Sequence, residues 1–177
     1  TNSEAVTEPP QVDYRLLKNL EGLEAAIEPY LRAEVLAIDT ETTGLDPHTD
    51  QIRLIQVAVS NDLPVLVIDV FKVPNALNEL KPLFRGSAVK VFQNAKFDLK
   101  FLAQAGVTTE GELFDTMIAA QLLQAGLPKK EKGAKLEAIV KTYLGEDLPK
   151  EEQQSNWSGE LSQSQITYAA NDAAILL

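Results

Sequence analysis

Two acidic residues stand two positions apart directly after an apolar run. Asp39 and Glu41 follow the residues Val35 to Ile38, whose apolar and β-branched character favours a strand. Side chains at positions i and i+2 of a strand project from the same face. Two neighbouring carboxylates repel each other unless a cation lies between them or one of them stays protonated. The pair therefore indicates a site at the end of a strand that requires a cation or a proton.

Two further acids lie on predicted helices, each one turn away from a polar side chain. Asp98 follows Asn94, a candidate N-cap, and Asp172 follows Tyr168 in the last predicted helix. A spacing of four residues places both members of a pair on one face of a helix. With 26 acidic residues in the chain, such pairs also occur by chance on solvated surfaces. The combination of a strand end, a helix start and a tyrosine is what favours a shared site.

The ligand types in this set limit the chemistry. The chain has one histidine and no cysteine, so disulfides are excluded and zinc would have almost no ligands. Carboxylate oxygens and water are the ligands that Mg²⁺ and Mn²⁺ prefer. Two such ions about 4 Å apart can hold the attacking and the leaving oxygen of an in-line displacement at phosphorus. The four acids therefore predict phosphodiester hydrolysis with two divalent cations, Mg²⁺ or Mn²⁺.

Apolar runs and helix-periodic segments predict a sheet flanked by helices. The predicted strands are Val35–Asp39, Ile52–Ser60, Val65–Asp69 and Val89–Gln93. The predicted helices are Leu20–Leu31, Asn75–Leu83, Ala95–Ala105, Thr116–Gln124, Leu136–Leu144 and Ser162–Leu177. The short connection between the second and third strands suits a hairpin, so part of the sheet is expected to be antiparallel. We therefore predict an α/β fold with a mixed central sheet.

The length of 177 residues suits one domain. Residues 1–11 contain prolines and acids without periodicity and predict a flexible tail or linker. Residues 12–177 make up the predicted domain. The last predicted helix has no glycine or proline to end it before Leu177, so we expect the chain to continue beyond that residue.

Charge and hydropathy limit the partners. The net charge of −10 argues against a broad electrostatic grip on duplex DNA, because such binding needs many Lys and Arg at the phosphates. A short contact with a few nucleotides is compatible with this charge, since divalent cations can supply positive charge. No apolar run approaches the roughly 20 residues of a membrane span. We therefore expect a soluble, intracellular protein in the cytoplasm.

The stretch Asp39-Thr-Glu-Thr-Thr-Gly44, together with Asp98, Tyr168 and Asp172, resembles a known family. It is similar to the DnaQ-like 3′-5′ exonucleases of the ribonuclease-H-like fold, in their tyrosine-bearing DEDD branch. That branch includes ribonuclease D and the proofreading domain of family A DNA polymerases. The resemblance covers residues 12–177.

The resemblance implies a role for each acid. Asp39 would bridge both metal ions, and Glu41 and Asp172 would complete the site of the ion that activates water. Asp98 would hold the second ion through water. Tyr168 would orient the attacking water, because a phenol with a pKa near 10 is a poor base.

The resemblance also implies a set of substrate-binding residues. The family uses the segment after the first acidic pair to hold the terminal nucleotide. Gly44 would let the backbone approach a sugar or base, and Leu45 would wedge against the terminal base. The implied set is Thr42, Thr43, Gly44, Leu45 and Asn94. His48 is not in the place where the histidine branch keeps its catalytic histidine, which favours the tyrosine branch.

The expected function is hydrolysis at the 3′ end of single-stranded or frayed DNA with release of 5′ mononucleotides. The resemblance to proofreading domains favours DNA, a monomer, and fusion to or association with a DNA polymerase. The alternatives are a ribonuclease D-like enzyme that acts on RNA and a non-catalytic nucleic-acid-binding module of the same fold. An aspartyl phosphatase is a further alternative, although such enzymes carry Asp where this chain has Glu41.

Three other features allow both a structural and a functional interpretation. Asp115 precedes an apolar helix, and an N-cap role is favoured over a metal-ligand role. Trp157 could stack on a base, but packing in the core is favoured. The basic run could be a solvated surface or could guide phosphates toward the acidic site; its members are Lys129, Lys130, Lys132, Lys135 and Lys141.

Overall fold

The computed structural model describes residues 12–60, 62–149, 152 and 154–177, so the predicted tail of residues 1–11 lies outside the described residues. The strands are β1 (Tyr14–Leu17), β2 (Val35–Thr42), β3 (Ile52–Ala58), β4 (Val65–Asp69), β5 (Val89–Phe92) and β6 (Leu113–Asp115). The helices are α1 (Leu20–Ile27), α2 (Ala76–Glu79), α3 (Lys81–Arg85), α4 (Ala95–Gln104), α5 (Thr116–Leu123), α6 (Leu136–Tyr143) and α7 (Gln163–Ala174). Two short 3-10 helices cover Tyr30–Arg32 and Lys129–Glu131.

One mixed sheet contains the six strands of the described residues in the order β1-β4-β3-β2-β5-β6. β3 runs antiparallel to β2 and to β4, with Asp39 opposite Gln56 and Leu54 opposite Asp69. The pairs β1 with β4, β2 with β5, and β5 with β6 are parallel. The predicted α/β fold with a mixed central sheet is therefore confirmed, as is the hairpin between the second and third predicted strands.

Apolar side chains cover both faces of the sheet. On one face α1 to α4 pack through residues such as Leu23, Phe84 and Phe101. On the other face α7 packs through Ala169, and Trp157 joins this second core. Trp157 is 5% exposed, so the packing interpretation of this residue is confirmed. β3 and β4 are buried along their whole length because helices cover both of their faces.

Two predicted helices end earlier than expected. The helix predicted to reach Leu31 ends at Ile27, because Pro29 interrupts the helical pattern and a 3-10 turn follows. The helix predicted to reach Leu177 ends at Ala174. No helix in the described part of the chain is both long and apolar enough to cross a membrane.

The segment predicted as one helix over residues 75–83 forms two short helices, α2 and α3. Pro82 lies in the first turn of α3, where its missing N–H and its ring disfavour continuation of the preceding helix. The edge strands β1 and β6 were missed, and both are only three or four residues long. Short edge strands carry too little alternation to be distinguished from loops.

The topology brings three elements to one place. β2 and β5 are parallel neighbours, so their carboxyl ends meet at the same edge of the sheet. Asp39 and Glu41 lie in the second half of β2, and Asn94 follows β5 and precedes α4. α7 crosses β2, β3 and β4. The end of β2, the start of α4 and the polar side of α7 are therefore neighbours.

Candidate active site

β2 places two acids on one face of the sheet and a threonine on the other. The strand was predicted to end at Asp39 but continues to Thr42, so Asp39 and Glu41 both lie within it. Thr40 is buried between them, and its hydroxyl donates to Asp98 Oδ1 at 2.6 Å. The alternation of the strand therefore presents the acid pair to α7 and ties Thr40 to α4.

Small residues bring α7 close to the sheet. The helix begins with a capping box, in which the Ser162 hydroxyl accepts from the Gln165 N–H and the Gln165 side chain accepts from the Ser162 N–H. Ala169, Ala170 and Ala173 are wholly buried against the strands. Because alanine has a short side chain, the helix backbone lies near the sheet, and the polar residues that flank the alanines reach the end of β2.

Asp39, Glu41 and Asp172 form a compact acid cluster. One carboxylate oxygen of each lies within 4.8 Å of those of the other two, and all three residues are half-buried. Burial and repulsion from neighbouring acids raise the pKa of Asp39 and of Glu41 well above their usual values. The pKa of Asp172 is raised to about 6, mainly by burial. A hydrogen bond from Tyr168 lowers this pKa, and the charge of Glu137 raises it. The cluster is therefore electrostatically unfavourable unless a cation or protons neutralise it.

Asp98 lies beside the acid cluster. It is in the first turn of α4, is 3% exposed, and accepts the hydrogen bond from Thr40. Burial raises the pKa of Asp98 to about 7, although the Thr40 hydroxyl lowers it. The charge of Asp98 in turn raises the pKa of Asp39 and of Glu41. The structure thus brings three of the four predicted acids together and places the fourth next to them.

Tyr168 faces the same site from α7. Its hydroxyl donates to the Asp172 carboxylate. Burial and the charge of Asp172 raise the pKa of the phenol above its usual value. The hydroxyl therefore keeps its proton at neutral pH and acts as a hydrogen-bond donor.

An open cleft of about 540 Å³ lies over the acid cluster. Its walls come from the ends of β2 and β5, from one face of α5, from the start of α6, from residues 148–149 and from α7. The three clustered acids and Tyr168 line it. A cleft of this size is large enough for a nucleotide and remains open to solvent, so a polymer strand end can enter it.

The structure separates the five predicted substrate-binding residues into two groups. Asn94 lines the cleft. The others lie at and after the end of β2: Thr42 is the last residue of the strand, and Thr43, Gly44 and Leu45 begin the loop that follows it. The side chain of Leu45 is 84% exposed at this loop.

Hydrogen bonds shape this loop around its glycine. The Thr42 hydroxyl donates to the Gly44 carbonyl at 2.6 Å. A Cβ atom at Gly44 would lie 2.4 Å from Asp50 Oδ2, and the same oxygen accepts from the Asp46 N–H at 2.9 Å. A larger residue at Gly44 would therefore have to displace the Asp50 side chain and its hydrogen bond to the Asp46 N–H, a constraint that the sequence did not reveal.

One carboxylate fixes the starts of two helices. Asn94 occupies the N-cap position of α4 with a left-handed backbone, φ 60°, and its side chain makes no capping hydrogen bond. The prediction that Asn94 caps the helix was therefore wrong. Asp115 instead accepts from the N–H groups of Asn94 at 3.1 Å and Ala95 at 2.9 Å. Asp115 also accepts from Met117 and Ile118 at the start of α5, which confirms its predicted capping role.

Five further polar residues that line the cleft were missed as site residues, namely Thr40, Gln93, Gln121, Lys135 and Glu137. Glu137 is a fifth acid, close enough to Asp172 to raise its pKa. Lys135 belongs to the basic run and stands at the N-cap position of α6. The run was visible in the sequence, but no local pattern indicates that the start of α6 faces the acids.

The donor atoms of the acid cluster fit hard divalent cations. Three carboxylates converge within 4.8 Å, and neither histidine nor cysteine contributes to the group. Oxygen-only ligand sets suit Mg²⁺ and Mn²⁺, and a cation would relieve the repulsion that raises the pKa of these acids. A mixed sheet that carries such a cluster on β2 is the arrangement expected of a cation-dependent hydrolase of phosphate esters.

Comparison with known proteins identifies the family. A family model described as 3′-5′ exonuclease matches residues 14–177, and the chain belongs to this family. DNA polymerase I of Aquifex aeolicus is 36% identical over 166 residues, which cover 93% of this chain and 26% of that protein. Ribonuclease D of Desulfotalea psychrophila is 27% identical over 166 residues, which cover 91% of this chain and 42% of that protein.

A solved structure agrees with this assignment. NrnC of Brucella melitensis bound to pGG is 31% identical, with a TM-score of 0.73, and the match covers 93% of this chain and 76% of that one. The predicted family and ribonuclease-H-like fold are therefore confirmed. Membership of an exonuclease family argues against the alternative hypothesis of an aspartyl phosphatase. The chain spans about a quarter of the Aquifex aeolicus polymerase and less than half of the ribonuclease.

Proposed function

We propose that this chain is a metal-dependent exonuclease domain that removes 5′ mononucleotides from the 3′ end of single-stranded or frayed DNA. The observation that carries the proposal is the convergence of Asp39, Glu41 and Asp172 within 4.8 Å under an open cleft. Asp98 and Tyr168 lie next to the same cluster. This arrangement supports hydrolysis at a strand end, because the open cleft is large enough for a nucleotide and the acids can hold cations.

Each residue has a defined part in this proposal. Asp39, Glu41 and Asp172 would hold one divalent cation, and Asp39 and Asp98 would help to hold a second. The chemistry that such cations supply is a lowered pKa of water and neutralisation of charge on the phosphate oxygens. Tyr168 keeps its proton and donates to Asp172, so it orients groups at the cluster and does not remove a proton.

We propose that DNA is the substrate and that the domain works within or beside a DNA polymerase. The 36% identity to DNA polymerase I of Aquifex aeolicus supports this choice. Action on RNA is the second candidate, because ribonuclease D of Desulfotalea psychrophila is also a relative. The test compares labelled DNA and RNA strands of one sequence. We expect kcat/KM to be at least roughly tenfold higher for DNA, which corresponds to a difference of about 1.4 kcal/mol in transition-state binding between the two substrates. A higher value for RNA would establish the second candidate.

The catalytic proposal is tested with a 5′-labelled single strand in Mg²⁺ or Mn²⁺. We expect stepwise shortening from the 3′ end that stops in excess chelator. Asp39→Ala should lose activity by a factor of about 10³ or more, because it removes a shared cation ligand. Glu24→Gln, an exposed acid on α1, is the matched control and should retain full activity. Full activity of Asp39→Ala would refute the metal assignment.

A non-catalytic binding module of the same fold predicts a different result. Folded protein that binds the strand but leaves its length unchanged in both cations would establish this alternative. The presence of all four acids and of Tyr168 favours catalysis, because a module that only binds gains nothing from a buried group of mutually repelling carboxylates.

A further inference from the structure

One lysine of the basic run lies at the cleft. Among the described residues that line the cleft, Lys135 is the one cationic side chain, whereas the acids there are Asp39, Glu41, Glu137 and Asp172. A nucleic-acid strand that enters this cleft therefore meets four carboxylates that repel its phosphates and, among the described lining residues, one lysine that attracts them. A single positive side chain in such a setting is a strong determinant of where a phosphate can lie.

Lys135 has no competing intramolecular partner in the part of the chain that the structure describes. Two other lysines of the run differ: Lys132 donates to the Ala125 carbonyl at 2.9 Å, and Lys141 pairs with Asp147 at 2.7 Å. None of the ion pairs formed by described residues includes Lys135, and its side chain is exposed. It can therefore bind an anion without breaking an existing contact.

The backbone that carries Lys135 is held in place. The buried Gln124 side chain makes two hydrogen bonds to Gly133, donating to its carbonyl at 3.1 Å and accepting from its N–H at 2.8 Å. Gln93 donates to the Ala134 carbonyl at 2.8 Å. These bonds fix the two residues before Lys135 to α5 and to the end of β5. A fixed backbone reduces the entropy that is lost when the side chain binds its ligand.

We propose that Lys135 is a substrate-binding residue that contacts a backbone phosphate of the bound strand adjacent to the phosphate that is hydrolysed. The acid cluster and Lys135 line the same cleft, and Glu137 of α6 is close enough to Asp172 for its charge to raise the pKa of that carboxyl group. Lys135 stands two residues before Glu137, at the N-cap position of α6, and is exposed to solvent. The phosphate within its reach is therefore a neighbour of the one at the cluster.

This inference rests on the proposed exonuclease function, but it is tested by binding as well as by cleavage. The affinity for a fluorescent ten-nucleotide single strand is measured in Ca²⁺ at low salt. Lys135→Gln should weaken binding about fivefold to tenfold, as expected for one charge-assisted contact at a partly exposed site. Lys129→Gln removes the same charge from the same run at a side chain outside the cleft lining and should change affinity by less than about twofold.

Strands with a single uncharged linkage show which phosphate Lys135 contacts. A methylphosphonate, which lacks the charged oxygen, replaces one linkage at a time among the last four of the strand. In the wild type, we expect one linkage besides the terminal one at which neutralisation costs the same fivefold to tenfold. In Lys135→Gln, neutralisation of that linkage should cost nothing further. Equal losses in both proteins at every linkage would overturn the inference.

Salt dependence and kinetics provide a second readout. Loss of one phosphate contact should reduce the slope of log Kd against log salt by about 0.7, and Lys135→Arg should restore it. In cleavage, Lys135→Gln should raise KM and leave kcat within about threefold. If Lys135→Gln and Lys129→Gln behave alike in binding, the inference fails even if cleavage occurs. If no variant cleaves but the binding difference is present, the exonuclease proposal fails, whereas the contact between Lys135 and a backbone phosphate is established.

Discussion

At the scale of single residues, the charged acid cluster lowers the free energy of unfolding of the metal-free protein relative to the same protein with the cluster protonated. The pKa of Asp172 is raised to about 6 in the fold, against about 3.9 in an unfolded chain. The folded state therefore binds the proton more tightly than the unfolded state. The stabilisation from this proton is complete below pH 4 and is lost as the pH rises through 6.

Asp172→Asn should reveal this cost. In chelator at pH 8, we expect the variant to exceed the wild type in free energy of unfolding by about 1 to 2 kcal/mol, because the raised pKa penalises the carboxylate. At pH 4 the two proteins should be nearly equal. Urea unfolding at both pH values measures the difference. An equal gap at pH 4 and pH 8 would show that the effect is not electrostatic, and excess Mg²⁺ at pH 8 should favour the wild type.

Tyr168 distinguishes orientation from proton transfer. Its pKa is raised above the usual value, so a role as a general base is disfavoured at neutral pH. Tyr168→Phe should lower kcat roughly 10- to 100-fold through loss of orientation. The ratio of wild-type to variant rate should stay constant from pH 7 to pH 9. A ratio of rates that increases tenfold per pH unit would indicate that the phenolate of Tyr168 acts as a base. The control is Tyr143→Phe, because Tyr143 does not line the cleft.

At the scale of secondary-structure elements, Asp115 connects α4, which carries Asp98, to α5, which lines the cleft. Its four hydrogen bonds to the starts of both helices satisfy donors that helix geometry leaves unpaired. Asp115→Ala should lower the free energy of unfolding by about 2 to 4 kcal/mol, more than an ordinary cap, because N–H groups at two helix starts lose their acceptor.

Matched variants distinguish the capping of α4 and α5 by Asp115 from a general effect of removing a negative charge. Asp115→Asn keeps an acceptor oxygen and should lose less than Asp115→Ala. Glu112→Ala removes an exposed neighbouring acid and should stay within about 0.5 kcal/mol of the wild type. Chemical denaturation of all three variants checks the order. A loss of less than about 1 kcal/mol for Asp115→Ala would show that the two helix starts do not depend on this carboxylate.

Local periodicity explains which elements could be predicted from the sequence. The strand that ends in Asp39 and Glu41 and the helices that carry Asp98 and Asp172 follow from spacings of two and four residues. The short edge strands β1 and β6 form because they pair with β4 and β5, and their sequences contain no comparable signal. The mixed sheet was predictable because turns separate its apolar runs.

Contacts between distant segments explain what the sequence could not provide. The hydrogen bond from Thr40 to Asp98 joins residues 58 positions apart, and Asp115 caps a helix that begins 20 residues earlier. The position of Lys135 depends on Gln124 and on the path of the loop before α6. Residue types identified the acids, whereas only the folded chain shows which other side chains surround them.

At the scale of the whole molecule, a net charge of −10 and an acidic cleft oppose the binding of a polyanion. A protein that grips DNA through six to ten phosphates loses about 10³ to 10⁵ in affinity between 50 and 200 mM salt, because each contact releases counterions. Here Lys135 is the one cation of the described cleft lining. The attraction must therefore come mainly from bound divalent cations and from contacts with bases and sugars.

Salt titration at a fixed, saturating concentration of Mg²⁺ or Ca²⁺ tests this view. With one or two phosphate contacts to side chains, affinity for a single strand should decrease only about threefold to sevenfold between 50 and 200 mM NaCl, since the expected slope is about −0.7 for each contact. Removal of the divalent cation should weaken binding far more than this change in salt. Lys135→Gln serves as the internal control, because its slope should be lower by one contact. If the affinity of the wild type decreased a hundredfold or more over this range, several lysines outside the cleft would have to bind the strand. The acidic surface would then not limit binding to a few phosphate contacts.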